Sequence, residues 1–275
     1  MDKRVAIVTG ANHGIGLEVA RGLVAQGYRT VLAVRDLEKG RAAAEEIGGG
    51  TVMRLDLAEL ACVREFATEF HLHFEQLHLL VNNAGIHTAK RETTPDGIER
   101  TLATNHVGHF LLTKLLLPTL TRSAPSRIVN VASEAHRGAP FFDFDDPMGE
   151  HAWSGLRAYA QSKLANLMFT YALARRLHGT GVVANAVHPG SVRTGWARGE
   201  ESGVFRLGVA LASPFLLSPA RGARTPLHVA TAPELARVSG QYFARMRLKA
   251  SSAASRDVAA QERLWELSER LTKAA

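Results

Sequence analysis

The stretch "RVAIVTGANHGIGLEVARGLVAQG" at positions 4–27 decides how the chain begins to fold. Its opening residues form a short β-branched run that ends at glycine, which is typical of a buried strand. Its second half places apolar residues at helical spacing and ends at Gly27. The glycine-rich turn "TGANHGIG" (9–16) joins the two. Such a turn lets backbone N–H groups approach a pyrophosphate, so it predicts dinucleotide binding, with a ligand-free glycine loop as the alternative.

Strands and helices alternate through the rest of the chain. Further strands are predicted over 29–35, 51–57, 77–85, 126–133, 182–190 and 240–243. Further helices are predicted over 36–49 with Asp36 as N-cap, 61–74, 96–122 with a bend or end at Pro118, 157–179 and 258–272. The strands are near-continuous apolar runs, the pattern of a parallel sheet buried on both faces. We therefore expect an α/β fold of about seven strands in a single domain over 1–275.

Composition narrows the class of protein. The chain has 275 residues, 46% of them hydrophobic, and a net charge of +7. The basic residues are scattered, which favours anionic ligands over a nucleic-acid surface. One cysteine, Cys62, excludes an internal disulfide. No signal region or membrane-spanning stretch is recognised, so we expect a cytoplasmic protein.

Six further motifs follow the glycine turn in order. They are "LDL" (55–57), "NNAG" (82–85), "TNHVGHF" (104–110), "IVNVAS" (128–133), "YAQSK" (159–163) and "HPG" (188–190). Together with the turn they resemble the short-chain dehydrogenase/reductase family, over nearly the whole chain. The segments "TNHVGHFLLTKLLLP", "RIVNVASEAH" and "SKLANLMFTYALARRL" resemble its retinol dehydrogenase-like branch. The resemblance implies a Rossmann-type doubly wound parallel sheet and an enzyme that interconverts a carbonyl and an alcohol with a nicotinamide cofactor.

The resemblance also implies which residues hold the cofactor. They are Gly10, Asn12, His13, Gly14, Ile15 and Gly16 in the turn, Asp56 and Leu57 at the adenine, Asn83, Ala84 and Gly85, and Pro189, Gly190, Val192 and Thr194 near the nicotinamide, with Tyr159 and Lys163 at its ribose. Each of these segments has a plainer interpretation as an ordinary turn or strand end.

The end of the second strand bears on which cofactor is used. NAD-binding folds place an acidic residue there for the ribose 2′-hydroxyl. Here Val34 holds that position and Arg35 follows. A guanidinium suits a 2′-phosphate, with help from His13, so the sequence favours NADP(H) over NAD(H). The alternative is that Arg35 is a solvated residue at a helix entry, paired with Asp36.

Four residues form the candidate catalytic set. A free phenol has a pKa of about 10, and a nearby ammonium lowers that value. Lys163 follows Tyr159 by one helical turn, so the two can lie on one face. The resemblance implies that Tyr159 is the acid/base, Lys163 its modulator and ribose contact, Ser133 the hydrogen-bond donor to the substrate oxygen, and Asn105 the holder of a relay water. Taken singly, each could instead be a cap, a helix bend or a packed side chain.

Two segments interrupt the alternation, 134–156 and 191–225. The first makes the spacing between Ser133 and Tyr159 longer than in many family members and leaves the pocket shape open. The second is predicted to cover the substrate pocket as an apolar lid. Its apolar residues are Trp196, which we expect at the substrate, and Phe205, Leu207, Leu211, Phe215 and Leu216. These residues predict a hydrophobic substrate that is retinoid-like, steroid-like, aromatic or polyketide-like, unless they are ordinary helix core.

Other classes of function have less support. Twelve histidines prompt a search for a metal site, but no cysteine or carboxylate cluster completes one. No GxSxG elbow indicates a hydrolase. The rival hypothesis is a non-catalytic NADP-binding regulator or scaffold on the same fold. The sequence leaves a homo-oligomer open and predicts no nucleic-acid partner.

Overall fold

The computed structural model describes residues 3–192 and 216–273. Its strands are β1 (Val5–Thr9), β2 (Arg29–Val34), β3 (Thr51–Arg54), β4 (Leu79–Asn82), β5 (Ser126–Val131), β6 (Val182–His188), β7 (Tyr242–Ala244) and β8 (Arg247–Leu248). They form one eight-stranded sheet in the order β3-β2-β1-β4-β5-β6-β7-β8. All neighbours are parallel except β7 and β8, which pair antiparallel. The predicted α/β sheet is confirmed, and the count of seven was one short because β8 has two exposed residues and no apolar run.

Helices cover both faces of the sheet. They are α1 (Gly14–Ala25), α2 (Leu37–Glu46), α3 (Leu60–His73), α4 (Arg100–Leu102), α5 (Gly108–Arg122), α6 (Gly155–Arg176), α7 (Pro219–Thr231), α8 (Ala253–Arg256) and α9 (Val258–Lys273). Buried residues of α1, α2 and α7 share one apolar cluster with the sheet. Those of α3, α5, α6 and α9 share the other. Strand β1 contributes to both, since Ile7 lies in one cluster and Val8 in the other. Both faces of the sheet are therefore buried, as its apolar strands predicted.

The helix predicted over 96–122 is broken. After α4, residues Ala103–Val107 form a π-helical turn, and α5 follows directly. Pro118 was expected to bend or end this helix, and it does not end it, because α5 continues to Arg122. Leu116 and Leu120, on either side of the proline, are fully buried, and their packing outweighs the lost backbone hydrogen bond.

The topology fixes where a ligand can bind. The strand order reverses between β1 and β4, which pair directly. In open α/β sheets, ligands bind at the carboxyl ends of the strands on either side of such a reversal. The turns after β1, β4, β5 and β6 carry the motifs singled out in the sequence. None of the helices in the described ranges is both long and apolar enough to cross a bilayer.

Candidate active site

The glycine turn after β1 leads directly into α1. Gly10 and Gly14 have positive φ, 65° and 59°, which an L side chain rarely adopts. A Cβ on Gly16 would lie 2.3 Å from the carbonyl oxygen of Gly10. His13 at the N-cap is extended and its side chain does not cap α1, and the first turn of the helix holds no acidic residue. The backbone dipole at this helix end therefore suits an anion, as a dinucleotide pyrophosphate requires.

The turn after β4 packs against the glycine turn. The Asn83 side chain donates to the carbonyl oxygen of Thr9 at 2.8 Å. The Thr9 hydroxyl accepts from the backbone N–H groups of Asn83 and Ala84, both at 2.9 Å. A Cβ on Gly16 would also lie 2.5 Å from Nδ2 of Asn83. The "TGANHGIG" and "NNAG" motifs thus meet at the sheet reversal, where the sequence predicted a cofactor site.

Helix α6 and the end of β5 bring the candidate catalytic residues together. Tyr159 is 7% exposed, and its side chain is hydrogen-bonded with that of Ser133. Lys163 is 3% exposed, with its Nζ 5.5 Å from the centre of the Tyr159 ring. The same ammonium donates to the carbonyl oxygen of Val131 at 3.0 Å. A phenol, a hydroxyl and an amine therefore lie close together in one buried corner, at the carboxyl end of β5.

Burial controls the ionisation of this corner. It raises the pKa of Tyr159 above its ordinary value, and the hydrogen bond with Ser133 opposes only part of that rise. It lowers the pKa of Lys163 to about 8. The sequence led us to expect a phenol pKa lowered by the ammonium, and the protein alone does not produce this. A desolvated phenol disfavours the phenolate more than an amine at this distance favours it.

Asn105 lies in the π-helical turn and is completely buried. Its Oδ1 accepts from the N–H of Ile86 at 2.7 Å, while its Nδ2 donates to the carbonyl oxygen of Ile86 and to Oγ of Ser162, both at 2.9 Å. The side chain thus pairs with Ile86 as a neighbouring strand would and joins it to α6. The relay water that the sequence predicted at Asn105 stays a prediction.

His109 is a buried residue of the site that the sequence did not single out. Its Nε2 lies 2.9 Å from the hydroxyl of Thr9, and its Nδ1 lies 3.1 Å from the carbonyl oxygen of Asn105. Burial lowers the pKa of His109 to about 3, so the ring is neutral. It links the cofactor turns to the helix break. The polar "TNHVGH" in an apolar helix was the available signal, although the contact with Thr9 spans 100 positions.

The residues predicted for cofactor choice and for the adenine lie at the ends of β2 and β3. Arg35 is exposed directly after buried Val34. Asp36 caps α2 through the N–H of Lys39 and pairs with the Lys39 ammonium at 2.7 Å. Asp56 accepts from the N–H of Ala58 at 3.0 Å. The structure thus gives Asp36 a partner other than Arg35.

Two other predicted contacts lie nearby. Leu57 is 5% exposed and packs against Gly108, where a Cβ would lie 2.9 Å from that of Leu57. Gly85 lies beside the catalytic corner, where a Cβ would lie 3.3 Å from Nζ of Lys163.

The segment after β6 lies at the carboxyl end of that strand. Gly190, which follows Pro189, has a φ of 96°. Val192 forms a parallel bridge with Leu217 and packs with Ile15 against Gly222. Thr194, Trp196 and most of the segment predicted as a lid lie outside the described residues. The end of that segment, from Pro219 onward, belongs to α7, which packs against α1 as part of the core.

The long 134–156 segment is held by polar contacts. A 3-10 turn, Glu134–Gly138, begins at Ser133. Asp146 then accepts from the N–H groups of Glu150 at 2.6 Å and His151 at 3.1 Å. These contacts order the loop that delivers Tyr159 at the start of α6.

Comparison with known proteins identifies the fold family. Residues 4–203 match the family model described as short chain dehydrogenase. The chain belongs to the short-chain dehydrogenase/reductase family. It is 44% identical over 271 residues to retinol dehydrogenase 12 of Mus musculus, covering 96% of this chain and 85% of that protein. It is therefore retinol dehydrogenase-like, as the sequence motifs indicated.

Solved structures agree with the family assignment. An uncharacterized protein from Mycobacterium paratuberculosis has a TM-score of 0.81 and 36% identity, with 98% of this chain and 93% of that chain covered. The RhlG/NADP active-site complex of Pseudomonas aeruginosa has a TM-score of 0.71 and 26% identity, with 88% and 94% covered. This short-chain dehydrogenase/reductase is thus an oxidoreductase that acts on CH–OH groups with a nicotinamide cofactor, and the glycine turn and α1 fit that cofactor's pyrophosphate.

Proposed function

We propose that this short-chain dehydrogenase/reductase transfers hydride between NADP(H) and a carbonyl or alcohol on a hydrophobic, retinoid-like substrate. The observation that carries the proposal is the hydrogen bond between Tyr159 and Ser133 beside the buried amine of Lys163. Two hydroxyls that share one corner can both contact the oxygen of a carbonyl. The similarity to retinol dehydrogenase 12 supports the retinoid-like class.

Each catalytic side chain has one task in this proposal. The glycine turn and the start of α1 would hold the pyrophosphate of the cofactor, whose nicotinamide would supply or accept the hydride. Ser133 donates a hydrogen bond to the substrate oxygen and so stabilises its developing negative charge. Tyr159 gives that oxygen a proton in reduction and removes it in oxidation. Lys163 holds the ribose and favours the phenolate once the proton has moved. Asn105 fixes Ile86 against α6 and offers its carbonyl to a relay water.

Burial of Tyr159 supports reduction as the direction in which the site works best. A phenol whose pKa is raised keeps its proton at neutral pH and is ready to act as an acid. Oxidation requires the phenolate, which the buried corner disfavours. A more alkaline optimum for alcohol oxidation than for carbonyl reduction is therefore expected.

The preference for NADP(H) rests on Arg35, which follows Val34 where NAD-binding folds place an acid. The test is retinaldehyde reduction by the purified protein with NADPH or NADH, using the parent, Arg35→Ala and a control, Arg41→Ala. Arg41 is an exposed arginine of α2 that pairs with Glu38, so the control removes the same charge. Losing a charge-assisted hydrogen bond costs roughly 1.5–3 kcal/mol, so KM for NADPH should rise about tenfold or more in Arg35→Ala alone.

The control and the second cofactor make this test decisive. KM for NADH should stay unchanged in both variants, because NADH has no 2′-phosphate. Equal KM values for NADPH and NADH in the parent, unaffected by Arg35→Ala, would refute the NADP(H) preference. Turnover of neither retinaldehyde nor a broad panel of apolar carbonyls would favour the non-catalytic alternative.

A further inference from the structure

His136 lies three residues beyond Ser133 and is fully buried. Its Nδ1 is 2.6 Å from the main-chain carbonyl oxygen of Ser133. Its Nε2 is 3.1 Å from the main-chain nitrogen of Ser252, which is 116 positions away in the sequence. One imidazole thus joins the candidate catalytic serine to a C-terminal segment that no motif of the site includes.

The two partners fix the protonation of the His136 ring. The N–H of Ser252 can only donate, so Nε2 must accept and carries no proton. The carbonyl of Ser133 can only accept, so Nδ1 must carry the proton. Both contacts are satisfied only by the neutral Nδ1–H tautomer. Burial lowers the pKa of His136, which keeps this neutral form at physiological pH.

The carbonyl of Ser133 is held at two points. It accepts from the backbone N–H of His136 at 3.1 Å as well as from the imidazole. The Ser133 hydroxyl accepts from the N–H of Ala135 at 3.2 Å on the same turn. The orientation of the hydroxyl toward Tyr159 therefore depends on a turn whose first carbonyl the His136 ring fixes.

The C-terminal segment is itself tied to this turn. Glu134, next to Ser133, accepts from the Tyr242 hydroxyl at 2.6 Å and from the Lys249 ammonium at 2.8 Å. The His136 and Tyr242 rings pack edge to face, with 5.6 Å between their centres. The segment from Tyr242 to Ser252 is thus a fixed support against which the imidazole holds the serine.

We propose that His136 is a positioning residue for the hydride-transfer reaction. Its neutral imidazole links the backbone of Ser133 to that of Ser252. This link fixes the orientation in which the serine hydroxyl faces the substrate oxygen. This inference rests on the proposed function, in which Ser133 contacts that oxygen. Since Ser133 is not among the proposed cofactor contacts, removing the link should affect turnover and not cofactor binding.

Two substitutions test the hydrogen bonds of His136 to Ser133 and to Ser252 separately. In His136→Asn the amide nitrogen takes the place of Nδ1 and can still donate to Ser133, but it cannot reach Ser252. In His136→Gln the longer amide can reach Ser252 but not the carbonyl of Ser133. We expect His136→Asn, which loses the contact with Ser252, to lower kcat about three- to tenfold, and His136→Gln, which loses the contact with Ser133 itself, to lower it about 10- to 100-fold, as small misplacements of catalytic groups do. The Kd for NADPH should match the parent in both.

The measurements are steady-state kcat with retinaldehyde, NADPH Kd by fluorescence titration, and Tm. A parent-like kcat in His136→Gln overturns the proposal. So does a kcat that falls equally in both variants in step with Tm and NADPH affinity, since that is the result of a purely structural link. Ser133→Ala separates this inference from the proposed function. An unchanged kcat there overturns the role of Ser133 itself, whereas a large fall there with a parent-like His136→Gln overturns only the positioning role.

Ser252 offers an independent test that leaves the imidazole in place. Its φ is −65°, the value that proline imposes, so Ser252→Pro removes the N–H donor without backbone conflict at that residue. Ser252→Ala is the matched control, because it removes the side-chain cap of α8 and keeps the N–H. We expect Ser252→Pro to lower kcat at least about threefold below Ser252→Ala, at equal NADPH Kd. Equal kcat values in the two variants overturn the proposal.

Discussion

Lys163 connects the chemistry of the site to the stability of the fold. It is 3% exposed, and burial lowers its pKa from 10.5 to about 8. Below pH 8 both the folded and the unfolded chain carry the ammonium, and the cost of burying a cation is present in full. Between pH 8 and 10.5 the unfolded chain binds more protons than the folded chain, so the free energy of unfolding rises with pH.

The variant Lys163→Met removes this titration. Other groups titrate alike in parent and variant, so the difference between their free energies of unfolding isolates the lysine. In the ligand-free protein, the free energy of unfolding of the parent should rise by about 2 kcal/mol more than that of the variant between about pH 7 and about pH 10. Urea unfolding at both pH values measures this. If the difference between the two free energies of unfolding does not change with pH, the amine of Lys163 is not desolvated.

At the scale of elements, the turn from β1 into α1 is the proposed contact for the cofactor's pyrophosphate. A Cβ on Gly16 would meet the main-chain carbonyl oxygen of Gly10 and the side-chain amide of Asn83, which belong to the turns after β1 and β4. Backbone atoms cannot give way as a side chain can. A methyl group here must therefore push the start of α1 away from Gly10 and displace the side chain of Asn83.

Gly16→Ala should weaken NADPH binding at least about tenfold, or about 1.4 kcal/mol. Gly22→Ala is the matched control on the same helix. A Cβ on Gly22 would meet the flexible end of Leu227 at 2.6 Å, on the side of α1 that packs against α7. Isothermal titration with NADPH should show a weaker Kd in the first variant only. Equal Kd values in both would show that the turn does not hold the cofactor.

At the scale of the whole molecule, α9 holds together the helices that carry the site. The Trp265 ring packs at 5.0 Å from that of Phe110 on α5 and at 5.9 Å from that of Phe169 on α6. The Arg176 guanidinium lies 4.0 Å from the centre of the indole. On the same helix, Ser268 is hydrogen-bonded at 2.8 Å to His106 in the π-helical turn. The C-terminal helix thus supports the elements that carry Asn105 and Lys163.

Trp265→Ala should lower the free energy of unfolding by about 2–4 kcal/mol, because it removes two aromatic contacts and a cation–π contact from a half-buried position. Glu266→Ala, at the exposed neighbouring position, should change it by less than about 0.5 kcal/mol. Thermal or urea unfolding measures both. A Trp265→Ala variant as stable as the parent would show that α9 is not part of the cooperative core.

The sequence predicted those parts of the molecule whose cause is local. The tight turn at Gly10, Gly14 and Gly16 was predictable, because it is set locally by a strand that leads directly into a helix. It was also predictable that Tyr159 and Lys163 lie on one face of a helix, because they are four residues apart. The contacts of Thr9 with His109 and of His136 with Ser252 were not, because they depend on which strands become neighbours. The short β8 has no apolar pattern, and the π-helical turn at Asn105 is stabilised by contacts with Ile86 and Ser162 on other elements.

The most direct test of the central claim is the turnover of Tyr159→Phe. The substitution removes one oxygen atom and leaves the ring to pack as before. We predict that kcat for NADPH-dependent retinaldehyde reduction falls at least about 100-fold, the contribution of a positioned general acid, while the Kd for NADPH stays within about threefold of the parent. Retention of the parent's kcat by Tyr159→Phe would contradict the account, because the proton would then come from another group.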